Sequence, residues 1–359
     1  MEPVNGYLEI LDKGFGFLRN IEGNFQPENT DTFVPAHLIT KYSLSEGVHI
    51  HGSGVTGHGK NQNFKLDAID TINGLQTEVF ADVVHFQQQT SVNPSEKLML
   101  SQGPDDLMGR ALDMIVPIGK GQRGLIISPP KSGKTTILQH MANSLILNHP
   151  DLKVFILLVD ERPEEVTDFK RGIDQATVLY SSADRSLSHH MRMTRLAMHT
   201  AIRCAEIGQD TVVFIDSLTR MSRAFNTKTN SRGRTLTGGL GANALEFPRK
   251  IFGAARNIEN GGSLTIIATI LVDTGSKLDD IIYQEFKGTG NMDLLLDRKC
   301  AEQRIWPAID INASGTRKED LLVSPEDLAN VVEIRRSISH LDNLSAMSAF
   351  LEYLNNKSA

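Results

Sequence analysis

The sequence predicts two folding units of different class: a small all-β barrel in residues 1–76 and a larger α/β domain in residues 111–359. In the first unit, turn-forming residues separate short apolar runs roughly every 8–12 positions, which is typical of a small barrel or sandwich. In the second, near-continuous apolar strands alternate with longer helical stretches, the pattern of a parallel sheet covered on both faces. Residues 77–110, with a glutamine run and several Pro and Gly breakers, are predicted to connect the two.

The apolar runs also predict individual elements. Strands of the barrel are expected at residues 7–10, 15–18 and 32–34, and the glycine-rich stretch 51–63 is expected to be a hairpin loop. Parallel strands of the α/β domain are expected at residues 124–127, 154–159, 212–215 and 264–272. A segment without Pro or Gly, residues 186–207, predicts a long helix.

Composition excludes several classes of protein. The chain has 359 residues, of which 40% are hydrophobic and 22% charged, as in ordinary globular proteins. Its longest apolar run is about half of what a membrane span needs, and no export signal follows Met1. Cys204 and Cys300 fit neither a disulfide framework nor a zinc site. We therefore expect a cytoplasmic protein with no membrane partner. The net charge of −6 requires any nucleic-acid contact to be local.

A motif near the N-terminus, Lys13-Gly-Phe-Gly-Phe-Leu-Arg19, predicts an RNA-binding surface. Alternation along a strand places Phe15 and Phe17 on one face, and such exposed aromatic side chains stack on single-stranded bases. The motif matches the start of the RNP1 signature and resembles a cold-shock strand. The alternative is that both phenylalanines belong to the core. The residues predicted to bind RNA here are Gly14, Phe15, Gly16, Phe17, Leu18, Arg19, Asp31, Thr32 and Phe33.

A second motif, SPPKSGKTT at residues 128–136, predicts a phosphate-binding loop between a strand and a helix. In such a loop the backbone amides and the helix N-terminus face the phosphates, and Lys134 reaches the β- and γ-phosphates. The Thr135 hydroxyl is then placed to hold Mg²⁺. Ser128 stands where glycine is usual, which is tolerable if its φ is negative. The alternative is a lysine-rich turn without function.

Two further strands end in acidic residues. The strand at 212–215 is followed by Asp216, the usual partner that orients magnesium, and the strand at 154–159 leads into Asp160 and Glu161. Because parallel strand ends share one edge, one of these carboxylates could polarise the attacking water. The alternative is that the acidic residues favour the N-terminus of the next helix. Together with the loop, they make nucleotide hydrolysis the leading hypothesis.

Several separate stretches give the chain a resemblance, over nearly its whole length, to the family of bacterial transcription termination factor Rho. They are residues 13–19, 119–124, 129–135, 160–167, 216–220, 236–245, 273–277, 285–291 and 307–322. The resemblance implies an OB-fold or cold-shock-like barrel followed by a RecA-like P-loop ATPase domain. It also implies ATP and Mg²⁺ as cofactors and single-stranded RNA as a partner. The resemblance further implies a homohexamer that moves 5′ to 3′ along RNA and terminates transcription. It implies RNA polymerase and elongation factors as further partners.

The resemblance also implies roles for individual residues. The residues implied in catalysis are Lys134, Glu161 as the group that activates water, Asp216 beside magnesium, Arg317 as an arginine finger acting on the neighbouring subunit, and Arg304 assisting it. The residues implied in nucleotide binding are Gly119, Lys120, Gly121, Gln122, Arg123, Gly124, Lys131, Ser132, Gly133, Thr135, Thr136, Arg162 and Trp306. Two pore loops are implied to grip RNA through Thr235, Leu236, Thr237, Gly238, Gly239 and Lys277.

The sequence differs from the family pattern in three places. The barrel begins almost at Tyr7, whereas family members usually carry a helical subdomain before it. Residues 61–64 lack an aromatic and acidic pair that many members use to bind RNA. Gly241 replaces a residue that is commonly acidic. We expect these differences to affect the strength and base preference of RNA binding. Two other functions stay open: an RNA-remodelling ATPase without a role in termination, and a subunit of a proton-driven ATPase.

Overall fold

The first folding unit is a small β-barrel. The structure, a computed structural model, describes residues 1–56, 64–230, 239–241 and 243–356. The strands are β1 (Glu2–Ile10), β2 (Gly16–Arg19), β3 (Thr32–Val34), β4 (His49–Thr56), β5 (Phe64–Ile72) and β6 (Leu75–Gln76), with helix α1 (Ala36–Lys41) after β3. Their order is β3-β2-β1-β4-β5-β6, and a parallel pairing of β3 with β5 closes the first five strands. The all-β prediction is confirmed.

Alternation along these strands builds the barrel core. Inward-facing aliphatic side chains such as Leu8, Ile50 and Ile72 are fully buried. The prediction of a loop at residues 51–63 was wrong for its first part, because β4 continues to Thr56. Gly52 is present because β5 crosses closely there: a Cβ at Gly52 would lie 2.2 Å from the carbonyl oxygen of Ala68. Residues 57–63 lie outside the described part of the chain.

Short elements link the barrel to the second unit, in the segment predicted to be a connector. They are α2 (Thr77–Phe80), a 3-10 helix at Phe86–Gln88, β7 (Ser91–Val92), β8 (Lys97–Leu98), α3 (Leu107–Ile115) and β9 (Ile118–Gly119). Strand β7 pairs with a strand of the second unit, and β8 pairs with β9. Helix α2 packs against the barrel, where Phe80 joins the core, whereas Phe86 and β7 pack onto the larger domain.

The second unit is built on a parallel sheet. Its strands are β10 (Arg123–Ser128), β11 (Lys153–Glu161), β12 (Thr177–Ser182), β13 (Asp210–Asp216), β14 (Arg256–Ile258), β15 (Ser263–Leu271), β16 (Met292–Leu295) and β17 (Gly315–Thr316). Its helices are α4 (Lys134–Asn148), α5 (Pro163–Gly172), α6 (Leu187–Glu206), α7 (Leu218–Asn230), α8 (Glu246–Phe252), α9 (Lys277–Lys287), α10 (Arg298–Glu302), α11 (Pro325–Ile338) and α12 (Asn343–Asn356). The strand order is β12-β11-β13-β15-β10-β16-β17, and only β17 and the side strands β14 and β7 pair antiparallel within this described sheet.

Both faces of this sheet are buried. Ile126, Ile156 and Phe214 pack on one face in a cluster with side chains of α3, α4 and α12. Leu157 and Ile215 pack on the other face, against α6 and α7. This explains why the central strands are nearly continuous apolar runs and confirms the prediction of a covered parallel sheet. Across the described residues, no helix is both long and apolar enough to cross a lipid bilayer.

The barrel rests on helix α6 of the second unit. Phe25, in the middle of the β2–β3 connection, is fully buried in the core of the α/β domain. The side-chain oxygen of Asn24 accepts a hydrogen bond of 2.8 Å from the backbone N–H of Tyr180. Gly47 touches α6 so closely that a Cβ would lie 2.6 Å from the backbone of His199. The barrel is therefore held against the α/β domain, at α6 and β12, by apolar, polar and backbone contacts.

Candidate nucleotide site and RNA-facing surface

The carboxyl ends of three strands of the parallel sheet build the candidate nucleotide site. Strand β10 ends at Ser128 and leads into the loop before α4, β11 ends at Glu161, and β13 ends at Asp216. Because the strands are parallel, these ends meet at one edge of the sheet. The loop, Glu161, Arg162, Glu165 and Arg220 enclose a cleft of about 530 Å³. This volume lies in the usual range for small-molecule sites.

The loop has the backbone geometry of an anion site. Helix α4 begins at Lys134, so its first amides face the loop, and Gly133 before it has φ of +87°. Glycine is required there also because a Cβ would lie 2.3 Å from the ring of Trp306. Ser128 is the last residue of β10, and its buried hydroxyl lies 2.9 Å from that of Ser132. A strand residue tolerates a side chain, so the missing first glycine costs nothing here.

Lys134 and two carboxylates form the charged centre of the site. The Lys134 ammonium group donates a hydrogen bond to Asp216 and lies 3.9 Å from Glu161. Asp216 also accepts a hydrogen bond of 2.8 Å from the Thr269 hydroxyl. Its other oxygen is buried and has no hydrogen-bond partner among the described residues. The centre therefore keeps a buried carboxylate oxygen that is available to a bound group.

Glu161 is fully buried at the end of β11. Its burial, and next the negative charge of Asp216, raise the pKa of its carboxyl group to about 7, although Lys134 and Arg220 act in the opposite direction. A carboxylate with a pKa near neutrality is suited to accept a proton from water. The alternative of a helix N-terminus explains Glu164 and Glu165, which lie in the first turn of α5, but it does not explain Glu161.

The residues around Asp216 fit a magnesium ion that is shared with phosphates. Within the described ranges, no three His, Cys, Asp or Glu side chains form a cluster that could hold a metal alone. Mg²⁺ commonly binds through one or two protein oxygens together with substrate phosphates and water. Asp216 has a buried oxygen without a partner, and Thr135 is the second residue of α4, beside the loop.

The structure does not bring residues 119–124 to the phosphate loop. They lie at the start of β10, and the loop follows its end, about 16 Å away for a six-residue strand. Lys120 forms ion pairs with Glu96 and Asp210, at 2.6 and 2.8 Å. Gln122 donates to the side chain of Asn291 at 2.7 Å. These contacts fix the turn before β10 to neighbouring strands.

The two predicted finger arginines lie apart within one chain. Arg317 is exposed and follows β17, which pairs with the start of β16 at the sheet edge opposite the loop. Arg304 is exposed two residues before Trp306, whose ring contacts Gly133 of the loop. Arg317 therefore cannot serve the phosphate loop of its own chain, whereas Arg304 lies on the side of that loop.

The barrel presents an aromatic platform formed by Phe15, Phe17 and Phe33. The ring centroids lie 5.4–6.0 Å apart, and the three side chains are only half-buried. The interpretation of Phe15 and Phe17 as core residues is therefore wrong. Gly14, also predicted to bind RNA, is exposed. The other predicted residues of this set are buried below or beside the platform: Gly16, Leu18, Arg19, Asp31 and Thr32.

The predicted pore loops are described only in part. Thr235, Leu236, Thr237 and Gly238 lie outside the described residues. The carbonyl of Gly239 accepts a hydrogen bond of 3.0 Å from Asn226 of α7. Lys277 is the first residue of α9, directly after the loop at residues 273–276.

Sequence reasoning missed two arginines of α7. Arg220 lies 3.0 Å from a carboxylate oxygen of Glu161, and Arg223 donates at 2.8 Å to Asp279, beside the 273–277 loop. Thr274 of that loop also donates to Asp279, at 2.6 Å. The signal was the spacing of the arginines, three positions apart on the helix after Asp216, which places both side chains near one helical face.

The fold and the site define an ATP-hydrolysing P-loop domain joined to a small OB-like barrel. Comparison with family models gives two matches: residues 4–78 match the RNA-binding domain of Rho termination factor, and residues 109–316 match the nucleotide-binding domain of the ATP synthase alpha/beta family. The chain is 47% identical over 355 residues to transcription termination factor Rho of Aquifex aeolicus, covering 98% of this chain and 81% of that protein. It is 44% identical to those of Haemophilus influenzae and Pseudomonas aeruginosa, covering 97% and 98% of this chain and 84% of each. The chain belongs to the transcription termination factor Rho family.

Solved structures support the fold of the second unit. A prototypical ATPase from the type III secretion system of pathogenic bacteria aligns with a TM-score of 0.60 at 24% identity, covering 69% of this chain and 70% of that one. The assembled ATPase EscN in complex with its central stalk EscO, from enteropathogenic E. coli, aligns with a TM-score of 0.61 at 23% identity, covering 72% and 61%. At these identities the likeness concerns the fold alone.

Proposed function

We propose that the protein is an RNA-dependent ATPase that binds nascent single-stranded RNA, moves along it 5′ to 3′ as a helicase, and terminates transcription. The observation that carries this proposal is the presence of two sites on one chain. The platform of Phe15, Phe17 and Phe33 is half-exposed on the barrel, and Lys134 lies between the buried carboxylates of the α/β domain. Membership of the Rho family supports the same function.

In the proposed reaction, ATP occupies the cleft at the phosphate loop. Lys134 leaves Asp216 to reach the β- and γ-phosphates, while Glu161 accepts a proton from the attacking water. Lys131, Ser132, Gly133 and Thr136 line the cleft with Arg162, and the half-exposed Trp306 ring beside Gly133 receives the adenine. Thr135 and Asp216 would hold Mg²⁺, which neutralises phosphate charge when bound.

We propose that active sites are completed between subunits of a homohexameric ring. Arg317 lies at the sheet edge opposite its own phosphate loop, so it is placed to reach the γ-phosphate of a neighbouring copy. An arginine finger supplied in this way typically contributes on the order of 10³–10⁵ in rate. Arg304 lies on the side of its own chain's phosphate loop. We propose that it assists the arginine finger in hydrolysis. Hydrolysis would then depend on assembly.

The remaining assignments follow from this proposal. We assign residues 1–76 to RNA loading, 77–110 to a connector and 111–359 to the ATPase domain. The segment 231–239 and Lys277 would contact RNA in the ring's central channel, and the turn at residues 119–124 would act on nucleotide only through its contacts with neighbouring strands. RNA polymerase and elongation factors are proposed as partners, in the cytoplasm.

Three assays test the function: ATP hydrolysis, unwinding of duplexes, and release of transcripts from a stalled polymerase. ATP hydrolysis is measured with and without pyrimidine-rich single-stranded RNA, and RNA–DNA duplexes with a single-stranded tail at either the 5′ or the 3′ end are offered for unwinding. We expect stimulation by RNA, and unwinding only from a 5′ tail. Absence of stimulation at every RNA concentration would refute the translocase. Stimulation and unwinding without release of transcripts from a stalled polymerase would favour the RNA-remodelling ATPase.

A further inference from the structure

A buried carboxylate links the barrel to helix α6. The side chain of Glu9 is 1% exposed, and three arginines converge on it. Arg19 comes from the barrel itself, whereas Arg192 and Arg195 come from α6 and follow Glu9 by 183 and 186 positions in the chain. A buried carboxylate is strongly unfavourable unless cations and hydrogen bonds compensate its charge. Glu9 therefore depends on the α/β domain for part of its compensation.

The two oxygens of Glu9 have different partners. Oε1 accepts from Arg192 at 2.9 Å and from Arg195 at 3.0 Å. Oε2 contacts two nitrogens of Arg19, Nε at 2.7 Å and Nη2 at 2.6 Å. Since Oε1 is occupied from α6, Glu9 offers a single oxygen to Arg19.

This arrangement fixes the position of Arg19 under the aromatic platform. The remaining nitrogen of the Arg19 guanidinium donates to Asp31, and its carbon lies 4.9 Å from the centre of the Phe17 ring. A guanidinium at this distance from an aromatic face is attracted to it. Arg19 thus joins the Glu9 carboxylate to the surface on which RNA bases would stack.

We propose that Arg192 and Arg195 are positioning residues for the RNA site of the barrel. By holding Oε1 of Glu9, they keep Arg19 between Asp31 and Phe17, so that the platform is completed by a helix of the ATPase domain. This inference rests on the proposed RNA-binding function of the barrel and extends it to residues outside the barrel.

The test is a double variant, Arg192→Gln with Arg195→Gln. In this variant Arg19 is the one of the three arginines that is left beside the buried Glu9. We expect both carboxylate oxygens of Glu9 to pair with the Arg19 guanidinium and to draw it away from Phe17 and Asp31. Affinity for a fluorescently labelled pyrimidine-rich RNA, measured by anisotropy, should fall about tenfold, as expected for the loss of one stacked base. The rate of ATP hydrolysis without RNA and the maximal rate at saturating RNA should stay at the wild-type values.

A second change separates this mechanism from direct contact with RNA. Arg192 and Arg195 have side chains that are 30% and 39% exposed, so they could bind phosphates themselves. Adding Glu9→Gln to the double variant removes the buried charge and should restore affinity if the effect runs through Glu9. A triple variant that binds RNA as weakly as the double variant would overturn the proposal. Affinity that is unchanged in the double variant would also overturn it.

Three controls make each result decisive. Arg192→Lys with Arg195→Lys keeps both charges and should bind RNA within about twofold of wild type, as for a conservative change. Arg185→Gln removes an exposed arginine just before α6 and should have no effect. If the double variant does not fold, the single change Arg195→Gln, with and without Glu9→Gln, gives the same comparison. Wild-type protein that binds RNA without stimulation of hydrolysis would refute the proposed function and leave this test intact.

Discussion

The guanidinium of Arg220 lies 3.0 Å from the buried carboxylate of Glu161. Three positions further along α7, Arg223 pairs with Asp279. Asp279 also accepts a hydrogen bond from the hydroxyl of Thr274 in the 273–277 loop. One helix therefore contacts both the proposed proton acceptor and a loop proposed to grip RNA. A shift of α7 would change both contacts together, which gives a direct physical link between the two sites.

The contact between Arg220 and Glu161 predicts a change in pH dependence. The positive charge of Arg220 lowers the pKa of Glu161, so Arg220→Gln should raise that pKa above its value of about 7. Because Glu161 must be ionised to accept a proton, the acidic limb of the rate profile should move to higher pH. Below its pKa, the ionised fraction of a carboxyl group falls about tenfold for each further pH unit. The RNA-free rate of hydrolysis, measured over a pH range that brackets neutrality, checks this.

The control for this experiment is Arg223→Gln, which removes the neighbouring arginine that pairs with Asp279 instead. Its acidic limb should coincide with that of the wild type. If the rate of Arg220→Gln is lower than that of wild type by the same factor at every pH, Glu161 is not the titrating proton acceptor. Such a profile would mean that the substitution disturbs the arrangement of the site without changing the pKa of Glu161.

The raised pKa of Glu161 also predicts a pH-dependent stability. The carboxyl group has a pKa of 4.5 when unfolded and about 7 when folded, so the folded state keeps the proton to higher pH. This contribution to stability is fully present below pH 4.5 and is lost as pH rises through 7. Glu161→Gln cannot titrate. The free energy of unfolding of Glu161→Gln minus that of wild type should therefore increase by on the order of 3 kcal/mol between about pH 4.5 and about pH 8.

Denaturant titrations of the nucleotide-free proteins at the two pH values measure this difference. Because groups distant from Glu161 titrate alike in the two proteins, their contributions cancel in the comparison. A stability difference that is the same at both pH values would show that the pKa of Glu161 is not raised in the folded protein.

The opposed positions of Arg317 and Lys134 predict complementation between subunits. Arg317→Ala should reduce hydrolysis by at least about 10³-fold, the typical contribution of a finger. Lys134→Ala should also inactivate the site, because it removes the cation that reaches the phosphates. In a mixed ring, an Arg317→Ala subunit can supply the phosphate loop while its Lys134→Ala neighbour supplies the arginine. We expect ATP hydrolysis to recover measurably when the two inactive proteins are mixed, unfolded and reassembled together. Mixtures no more active than the sum of the separate variants would refute the action of Arg317 on a neighbouring subunit.

For a physical reason, the sequence could predict that the strand ends carrying the candidate nucleotide-site residues share one edge of the sheet. A parallel strand buried on both faces must be an apolar run, and its first polar residue marks the functional edge of the sheet. This rule placed Asp216 and the pair Asp160 and Glu161 at that edge, and the family resemblance singled out Glu161 from the pair. The rule could not locate Arg317 relative to the phosphate loop, because the order of strands in the sheet cannot be read from local pattern.

Contacts between distant positions were the part that the sequence could not provide. Glu9 and Arg192 are ordinary charged residues in their own segments, and only the docking of the barrel on α6 brings them within 2.9 Å. The glycine-rich start of the 51–63 stretch was interpreted as a loop, although Gly52 is needed because two strands cross closely. Local composition therefore cannot distinguish a glycine of a turn from a glycine of a crowded barrel.

The aromatic platform predicts that Phe17 is a principal RNA contact of the barrel. Its ring is half-exposed, lies 6.0 and 5.8 Å from the rings of Phe15 and Phe33, and covers the guanidinium of Arg19. Base stacking on such a ring is worth about 1–3 kcal/mol, so Phe17→Ala should weaken RNA binding by about 5- to 150-fold. Because the ring is outside the barrel core, the melting temperature should change by only a few degrees.

The matched control for Phe17→Ala is Tyr42→Ala, since Tyr42 is a half-buried aromatic residue of the same barrel that packs against its core instead of joining the platform. We expect this control to lower the melting temperature more than Phe17→Ala does, and RNA affinity less. RNA-free ATP hydrolysis should be unchanged in both, because both residues lie far from the phosphate loop in the chain's other folding unit. Equal losses of RNA affinity in the two variants would mean that general destabilisation of the barrel, and not stacking on Phe17, accounts for the effect.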